Sequence, residues 1–295
     1  MPRPARSSSL GAIRRRILAW FAAEQRELPF RRSRDRWPVL VAEVMLQQTQ
    51  ASRIAERFDA FLDRYPTPEA LAATPAARVL ADWSGLGYNR RALNLHAAAV
   101  RITAEGWPAT VAALERLPGI GPYSARAIAA IAFDQPVGAV DTNVRRWLVR
   151  RFAADPDDKR ALQDLADRLA RAGSLGPPGE SGTWTHATME FGARICVARV
   201  PRCGICPVAR GCPSRRAPAH VPVPRASVAT APTRAARGAV LRALATAPGH
   251  ALSERSSRSI VVAGWPELDY PALAEGLRRD GLIHRSGRRL VLGPG

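Results

Sequence analysis

The sequence predicts an all-α body running to about residue 212, followed by a short tail of mixed α+β character. Three observations carry this reading. Apolar residues recur at helical spacing from about Ile13 to Cys212, few stretches in that region alternate as strands do, and the last 60 residues change style and end in two short apolar runs around Ser286-Gly287. A chain of 295 residues has room for two or three small domains.

Taken in order, Ile13, Ile17, Trp20 and Phe21 form a first apolar face. Pro38, tolerated in a first turn, opens a second helix over Val39–Gln50. Ile54, Phe58, Phe61 and Leu62 make a third face, and Leu93, Ala97, Val100 and Ala104 a fourth. Tyr123–Phe133 is rich in small residues, and Val144, Trp147, Leu148 and Phe152 again repeat with helical period. Residues 213–235, dense in Pro, Ala, Arg and Ser, read as a linker. Val240–Leu244 and Leu273–Leu282 look helical, and Leu282–Leu292 reads as a hairpin. Helices closed by a basic hairpin predict a small winged-helix-like module over 236–295.

The formal net charge is +19, carried almost wholly by arginine, with Lys159 the single lysine. This excess favours a polyanionic partner such as duplex nucleic acid, although a basic surface kept for solubility would look the same. No stretch is long and apolar enough for a membrane span, and no secretory leader follows the basic start.

All four cysteines fall in one run, Cys196, Cys203, Cys206 and Cys212, with six, two and five residues between them. This is a metal-site pattern for a reducing compartment rather than a disulfide framework. Four thiolates suit a zinc ion or an iron–sulfur cluster; one C-x-x-C knuckle instead of two leans toward the cluster. Leu117-Pro-Gly-Ile-Gly-Pro-Tyr-Ser124 joins two helical segments, and Gly119 and Gly121 permit unusual backbone angles. It is either a plain tight turn or a turn whose amides face a phosphate. Asp141 precedes a helix, where a capping role suffices but leaves a carboxylate at the helix end. Glu43 is the single charge within Val39–Leu46. Buried, it would have a raised pKa and suit a general acid; on a half-exposed face it would simply meet water.

The cysteine run after Glu190-Phe-Gly-Ala-Arg-Ile-Cys196 resembles the cluster loop of the endonuclease III and MutY glycosylases. That precedent implies one [4Fe–4S] cluster rather than zinc. The turn at 117–124 then resembles the helix–hairpin–helix of the same superfamily, with Gly119 and Gly121 at DNA, and the Asp matching Asp141 is catalytic there. Strand-cleaving members carry a lysine where this chain has Tyr123. The resemblance therefore implies a monofunctional glycosylase that uses water.

Ala42-Glu-Val-Met-Leu-Gln-Gln-Thr-Gln50 closely resembles the adenine glycosylase signature, differing by Ala42 for Ser. It implies that Glu43 protonates adenine at N7 and helps activate water, that Asp141 stabilises or briefly captures the sugar cation, and that Tyr123 and Asn143 orient them. Arg26-Glu-Leu-Pro-Phe-Arg31, with Arg26, Leu28, Phe30 and Arg31, resembles the adenine pocket, with Leu46 and Glu190 nearby. Trp83-Ser-Gly-Leu-Gly-Tyr88 and the Gln47-Gln48 pair resemble the DNA-contacting loops, implying that Leu86, Gln47, Gln48 and Tyr88 meet DNA and that Tyr88 and Gln48 wedge into the stack.

The resemblance covers about residues 10–212 and implies a two-lobed catalytic domain, 1–212. Residues 28–140 would form a six-helix lobe and 10–27 plus 141–212 an iron–sulfur lobe. Asn89 stands where the family usually has a second Tyr, and Thr142 where many members have Gly. The 83 residues after Cys212 are too few for the MutT-like domain that reads 8-oxoguanine in many MutY proteins. The basic hairpin (His284, Arg285, Arg288, Arg289) is either a DNA-backbone contact or a solvated wing. The expected activity is hydrolysis of adenine opposite 8-oxoguanine or guanine in double-stranded DNA, by a monomer in the cytoplasm, near the nucleoid. The alternatives are a thymine (T:G) mismatch glycosylase and a non-catalytic, redox-sensing DNA-binding protein.

Overall fold

The computed structural model describes residues 7–173, 177–217, 221 and 231–295. In chain order its helices are α1 (Ser7–Glu24), α2 (Arg36–Leu46), α3 (Ala51–Ala55), α4 (Phe58–Arg64), α5 (Pro68–Ala72), α6 (Ala76–Asp82), α7 (Arg90–Glu105), α8 (Val111–Leu114), α9 (Pro122–Ala132), α10 (Thr142–Phe152), α11 (Lys159–Ala170), α12 (Glu180–Arg194) and α13 (Ala231–Thr246). Strand β1 (Ala251–Ser253), α14 (Glu254–Gly264), α15 (Tyr270–Arg279), β2 (Ile283–Ser286) and β3 (Arg289–Leu292) complete it. The mostly helical fold with a small α+β tail is as expected. No described helix is long and apolar enough to cross a membrane.

Three elements differ from their sequence reading. α2 stops at Leu46 rather than Gln50, because Gln48 sits in the left-handed region at φ 56°. The third apolar face is split between α3 and α4, although Ile54, Phe58 and Phe61 are all buried. α7 exists but buries Leu95, Ala98, Ala99 and Ile102, leaving Val100 exposed. In an alanine-rich helix, apolar residues occur on several sides and the phase is ambiguous.

The chain forms two compact units. The first comprises Met1–Glu43, Ala109–Arg116 and Ile120–Pro224. Its core gathers Ile13, Ile17 and Phe21 of α1, Trp147 and Leu148 of α10, Leu162 and Leu169 of α11, and Trp184 and Phe191 of α12. Phe191 packs edge-on against both Trp20 and Trp147, at centroid separations of 5.7 and 5.8 Å. α12 runs through the middle, against α1, α9 and α10. Gly192 allows the closest approach, since a Cβ there would lie 2.6 Å from the Asn143 carbonyl oxygen. Any larger residue would push the start of α10 away.

The second unit comprises Val44–Pro108, Leu117–Gly119 and Arg225–Gly295. Within it, α7 packs on α5 and α6, and the tail folds as α13-β1-α14-α15-β2-β3 with antiparallel sheet order β1-β3-β2. This is a winged-helix arrangement, as the sequence predicted. Two of its elements, β1 and α14, had no sequence signal: α14 buries just Ser257 and Val261, too few apolar positions to show a period. α13 begins at Ala231, inside the stretch read as linker; residues 218–220 and 222–230 of that stretch lie outside the described residues. α13 and β3 both pack against α6.

Candidate active site

Three groups singled out in the sequence meet in the first unit. Glu43, in the last turn of α2, is 7% exposed. Burial, reinforced by the nearby Asp141 charge, pushes its pKa up from 4.5 to about 8, so it holds its proton at neutral pH. Asp141 caps α10: Oδ1 accepts from the Val144 amide at 2.6 Å and Oδ2 from Asn143 Nδ2 at 2.8 Å. Burial raises its pKa, while these two donors and the Arg146 charge pull it back. The positive end of α10 adds to the preference for a carboxylate. Tyr123, in the first turn of α9, feels both acids. Burial and their charges hold its phenol well above its ordinary value, so it stays neutral, and its hydroxyl faces Met189 Sδ at 3.6 Å. The buried reading of Glu43 therefore holds, and capping and electrostatics coincide at Asp141.

One turn along α10 lies a residue the sequence did not reveal. Arg146, 5% exposed, donates to Asn143 Oδ1 at 2.9 Å, to the Gly192 carbonyl at 2.6 Å and to the Cys196 carbonyl at 2.7 Å. It fixes the amide that in turn fixes Asp141.

Glu190, on α12, is 1% exposed and receives two hydrogen bonds from Arg26, at 2.6 and 2.7 Å, and one from Arg31 at 2.8 Å. Burial alone would raise its pKa; the two guanidiniums outweigh burial and hold it below the ordinary range. Leu28 enters the short turn Pro29–Arg31 in extended conformation, Phe30 is buried, and Arg31 stacks over Phe21 at 5.6 Å. His186 lies one turn before Glu190. Burial, with the charges of Arg31 and Arg34, drops its pKa to about 3, so it is a neutral imidazole. It went unnoticed because a lone His in a helix carries no pattern.

The cysteine loop is stapled by α10. Arg150 donates to the carbonyls of Val197 (2.7 Å) and Ala198 (2.8 Å), and Arg151 to that of Gly211 (3.0 Å). Cys196, Cys203, Cys206 and Cys212 all line one cavity, and none forms a disulfide. Among the described residues no three metal-ligating side chains close onto a single ion. Four thiols lining one cavity are a ligand set that could hold a metal centre.

The remaining site residues, Gly121 apart, belong to the second unit. Leu46 ends α2 and Gln47 Nε2 donates to the Gly119 carbonyl at 3.0 Å. Gln48 and Tyr88 both take left-handed backbone angles, φ 56° and 46°, and Tyr88 is 45% exposed, while Leu86 is buried. Strain in two exposed loop residues is a usual mark of a functional segment. Arg91, 6% exposed and missed by the sequence reading, ties their loops together. Its guanidinium donates to the carbonyls of Met45 and Gln47 (2.6 Å each), to Thr49 Oγ1 and to the Gly87 carbonyl (3.0 Å each). Gly119 has φ 77° and a Cβ there would meet Asn94 at 2.7 Å. Gly121 differs from expectation: its φ of −91° is open to any residue, and the space above it is empty.

Residues 41–171 match the HhH-GPD superfamily of base excision DNA repair proteins. An adenine DNA glycosylase of Mycolicibacterium smegmatis is 39% identical over 289 residues, covering 95% of this chain and 96% of that protein. The human adenine DNA glycosylase is 37% identical over 70% of this chain and 40% of its own length. Among solved structures, a thermostable thymine-DNA glycosylase superposes with a TM-score of 0.64 at 26% identity, over 71% of this chain and 99% of that one. Endonuclease III trapped on DNA shares the fold at a TM-score of 0.59 and 24% identity, over 72% of this chain and 98% of that one. The chain belongs to the HhH-GPD superfamily of base excision repair proteins and, within it, to the adenine DNA glycosylase family.

Proposed function

We propose that the chain is a monofunctional adenine glycosylase that hydrolyses the N-glycosidic bond of adenine paired with 8-oxoguanine or guanine in duplex DNA. The observation that carries this reading is the meeting of two carboxyls in unlike surroundings: buried Glu43, whose pKa is pushed up to about 8, and Asp141, whose two oxygens accept hydrogen bonds from the Val144 amide and Asn143. Such a pair divides acid and counter-charge between its members. Glu43 delivers its proton to adenine N7 as the bond from C1′ to N9 breaks and the bonding electrons leave with the base. Asp141 balances the positive sugar. Water then adds at C1′, and ionised Glu43 takes its proton, restoring the acid. Tyr123 and Asn143 hold these groups in place.

In this reading Arg26, Leu28, Phe30, Arg31, Leu46 and Glu190 surround the extruded adenine. Gln47, Gln48, Tyr88, Gly119 and Gly121 meet the DNA, while Leu86, expected there too, is buried and supports the loop from beneath. Strand cleavage through a Schiff base has no lysine to begin it: Lys159 opens α11, on the surface. Residues 1–212 act as the catalytic domain, divided as 28–140 and as 10–27 with 141–212. Cys196, Cys203, Cys206 and Cys212 hold one [4Fe–4S] cluster, which when bound supplies a redox-capable crosslink of the loop. The protein works as a monomer in the cytoplasm, at the nucleoid.

The test is a glycosylase assay on duplexes carrying A:8-oxoguanine, A:G and T:G, with and without alkali. Adenine release that yields strand breaks only after alkali supports the proposal. Product from T:G alone would favour thymine excision, the activity named for the solved structure at TM-score 0.64. Binding without release of any base would favour the redox-sensing DNA-binding reading.

A further inference from the structure

The second unit contains a cavity of about 180 Å³ where α13 faces the 84–89 loop. Arg53, Arg234 and Arg242 stand around it, with Ser84, Asn89 and Gly85, and among the described residues no acidic one lines it. All three arginines are exposed, and Arg53 is steered by a 2.7 Å hydrogen bond to the Gly85 carbonyl. Asn89 carries a buried side-chain oxygen without a partner. The Asn89 NH2 group is a donor that can serve a phosphate oxygen there. Three guanidiniums round a concavity with no carboxylate is a phosphate-binding arrangement.

We propose that this cavity binds a backbone phosphate of the DNA, making the winged-helix module part of the DNA-binding surface through α13. The proposal rests on the reading that the 84–89 loop meets DNA, since Tyr88 projects from that loop at 45% exposure. The alternative DNA faces of the module mix acidic groups with their arginines. α15, the helix that reads the groove in many helix-turn-helix proteins, carries exposed Glu275 and follows exposed Glu267 and Asp269. In the hairpin, Arg285 is paired with Glu254, and Arg289 donates to the Ala251 carbonyl. The basic wing suggested by the sequence is thus partly neutralised, whereas Arg234 and Arg242 of α13 flank a cavity with no acidic lining among the described residues.

The experiment compares the full chain with the double variant Arg234→Gln/Arg242→Gln by fluorescence anisotropy on a labelled duplex of about 30 base pairs. The dissociation constant is measured across salt concentrations, with melting curves to verify folding. Loss of two phosphate contacts lowers the slope of log K against log salt by roughly 2 and weakens binding about tenfold or more near 0.1 M salt. Arg101→Gln, a surface helix substitution away from the cavity, is the reference and leaves both unchanged. An unchanged affinity and slope in the double variant would overturn the proposal, as would inorganic phosphate binding that depends on these arginines while DNA affinity does not. Should the double variant melt early, single Arg242→Gln carries the same readout with a slope change of about 1. Failure of the glycosylase reading shows separately, as absence of base release by the unmodified chain.

Discussion

Substituting Glu43 by Gln should remove base release and, at the same time, make the protein more stable at neutral pH. Above pH 4.5 the unfolded chain ionises this carboxyl, whereas the folded chain keeps it protonated up to about pH 8. Between those limits the folded state binds the extra proton, so its stability falls as pH rises. Below pH 4.5 there is no loss. Each pH interval of one costs about 1.4 kcal/mol, so the loss at pH 7 is roughly 3 kcal/mol, and it levels off near 5 kcal/mol above pH 8. Gln has the same shape as the neutral acid and never ionises. Its midpoint of thermal unfolding should exceed that of the unmodified chain by about 6–12 °C at pH 7, using roughly 2–4 °C per kcal/mol for a domain of this size. The assay is a set of paired melting curves from pH 4.5 to 9, with single-turnover excision in parallel. The difference should be near zero at pH 4.5 and grow to a plateau beyond pH 8. A difference that stays flat with pH, or a variant less stable than its parent at pH 8, would refute the buried-acid argument.

Other consequences are simpler to check. Asp141→Asn removes the counter-charge but keeps an oxygen for the Val144 amide, so excision should vanish while duplex affinity, measured by anisotropy, persists. Arg91→Met strands several buried carbonyls; a loss of about 3–5 kcal/mol in unfolding free energy is expected, together with weaker DNA binding, by denaturant titration and anisotropy. The purified protein should be brown with a broad absorption near roughly 400 nm that disappears in a Cys206→Ala variant, whereas a colourless zinc protein would exclude the cluster.

The catalytic acids were legible in the sequence for different physical reasons. Glu43 was the one charge in an apolar helix, so burial and a raised pKa followed together; Asp141 stood where a helix needed a cap. The cysteines announced themselves by isolation. The arginines did not. With 44 basic residues in the chain, no pattern separates Arg91 and Arg146, which turn inward to backbone carbonyls, from those that face water. Several of their partners, Met45, Gln47 and Thr49 for Arg91 and Gly192 and Cys196 for Arg146, lie 42–50 positions away, and such pairings exist only after folding. The winged-helix tail was read correctly from its hairpin and two helices. The phase of α7 was not, because alanine marks no side of a helix. The sequence marks Gly119 and Gly121 alike as free to take unusual backbone angles, whereas only Gly119 of the pair uses left-handed space.

The packing of the tail on α6 bears on how the chain can be divided. Leu80 of α6, Leu241 of α13 and Leu292 of β3 are each almost fully buried, and the Gly293 backbone lies against Ala77. A chain cut after Cys212, the boundary a motif search would choose, keeps every proposed catalytic group yet strips the cover from α6. Such a fragment would present a fresh oily surface beside the loop that carries Tyr88. Its poor solubility would then say nothing about whether the tail takes part in repair. Separating the two roles requires point changes on the rim of α13, not truncation.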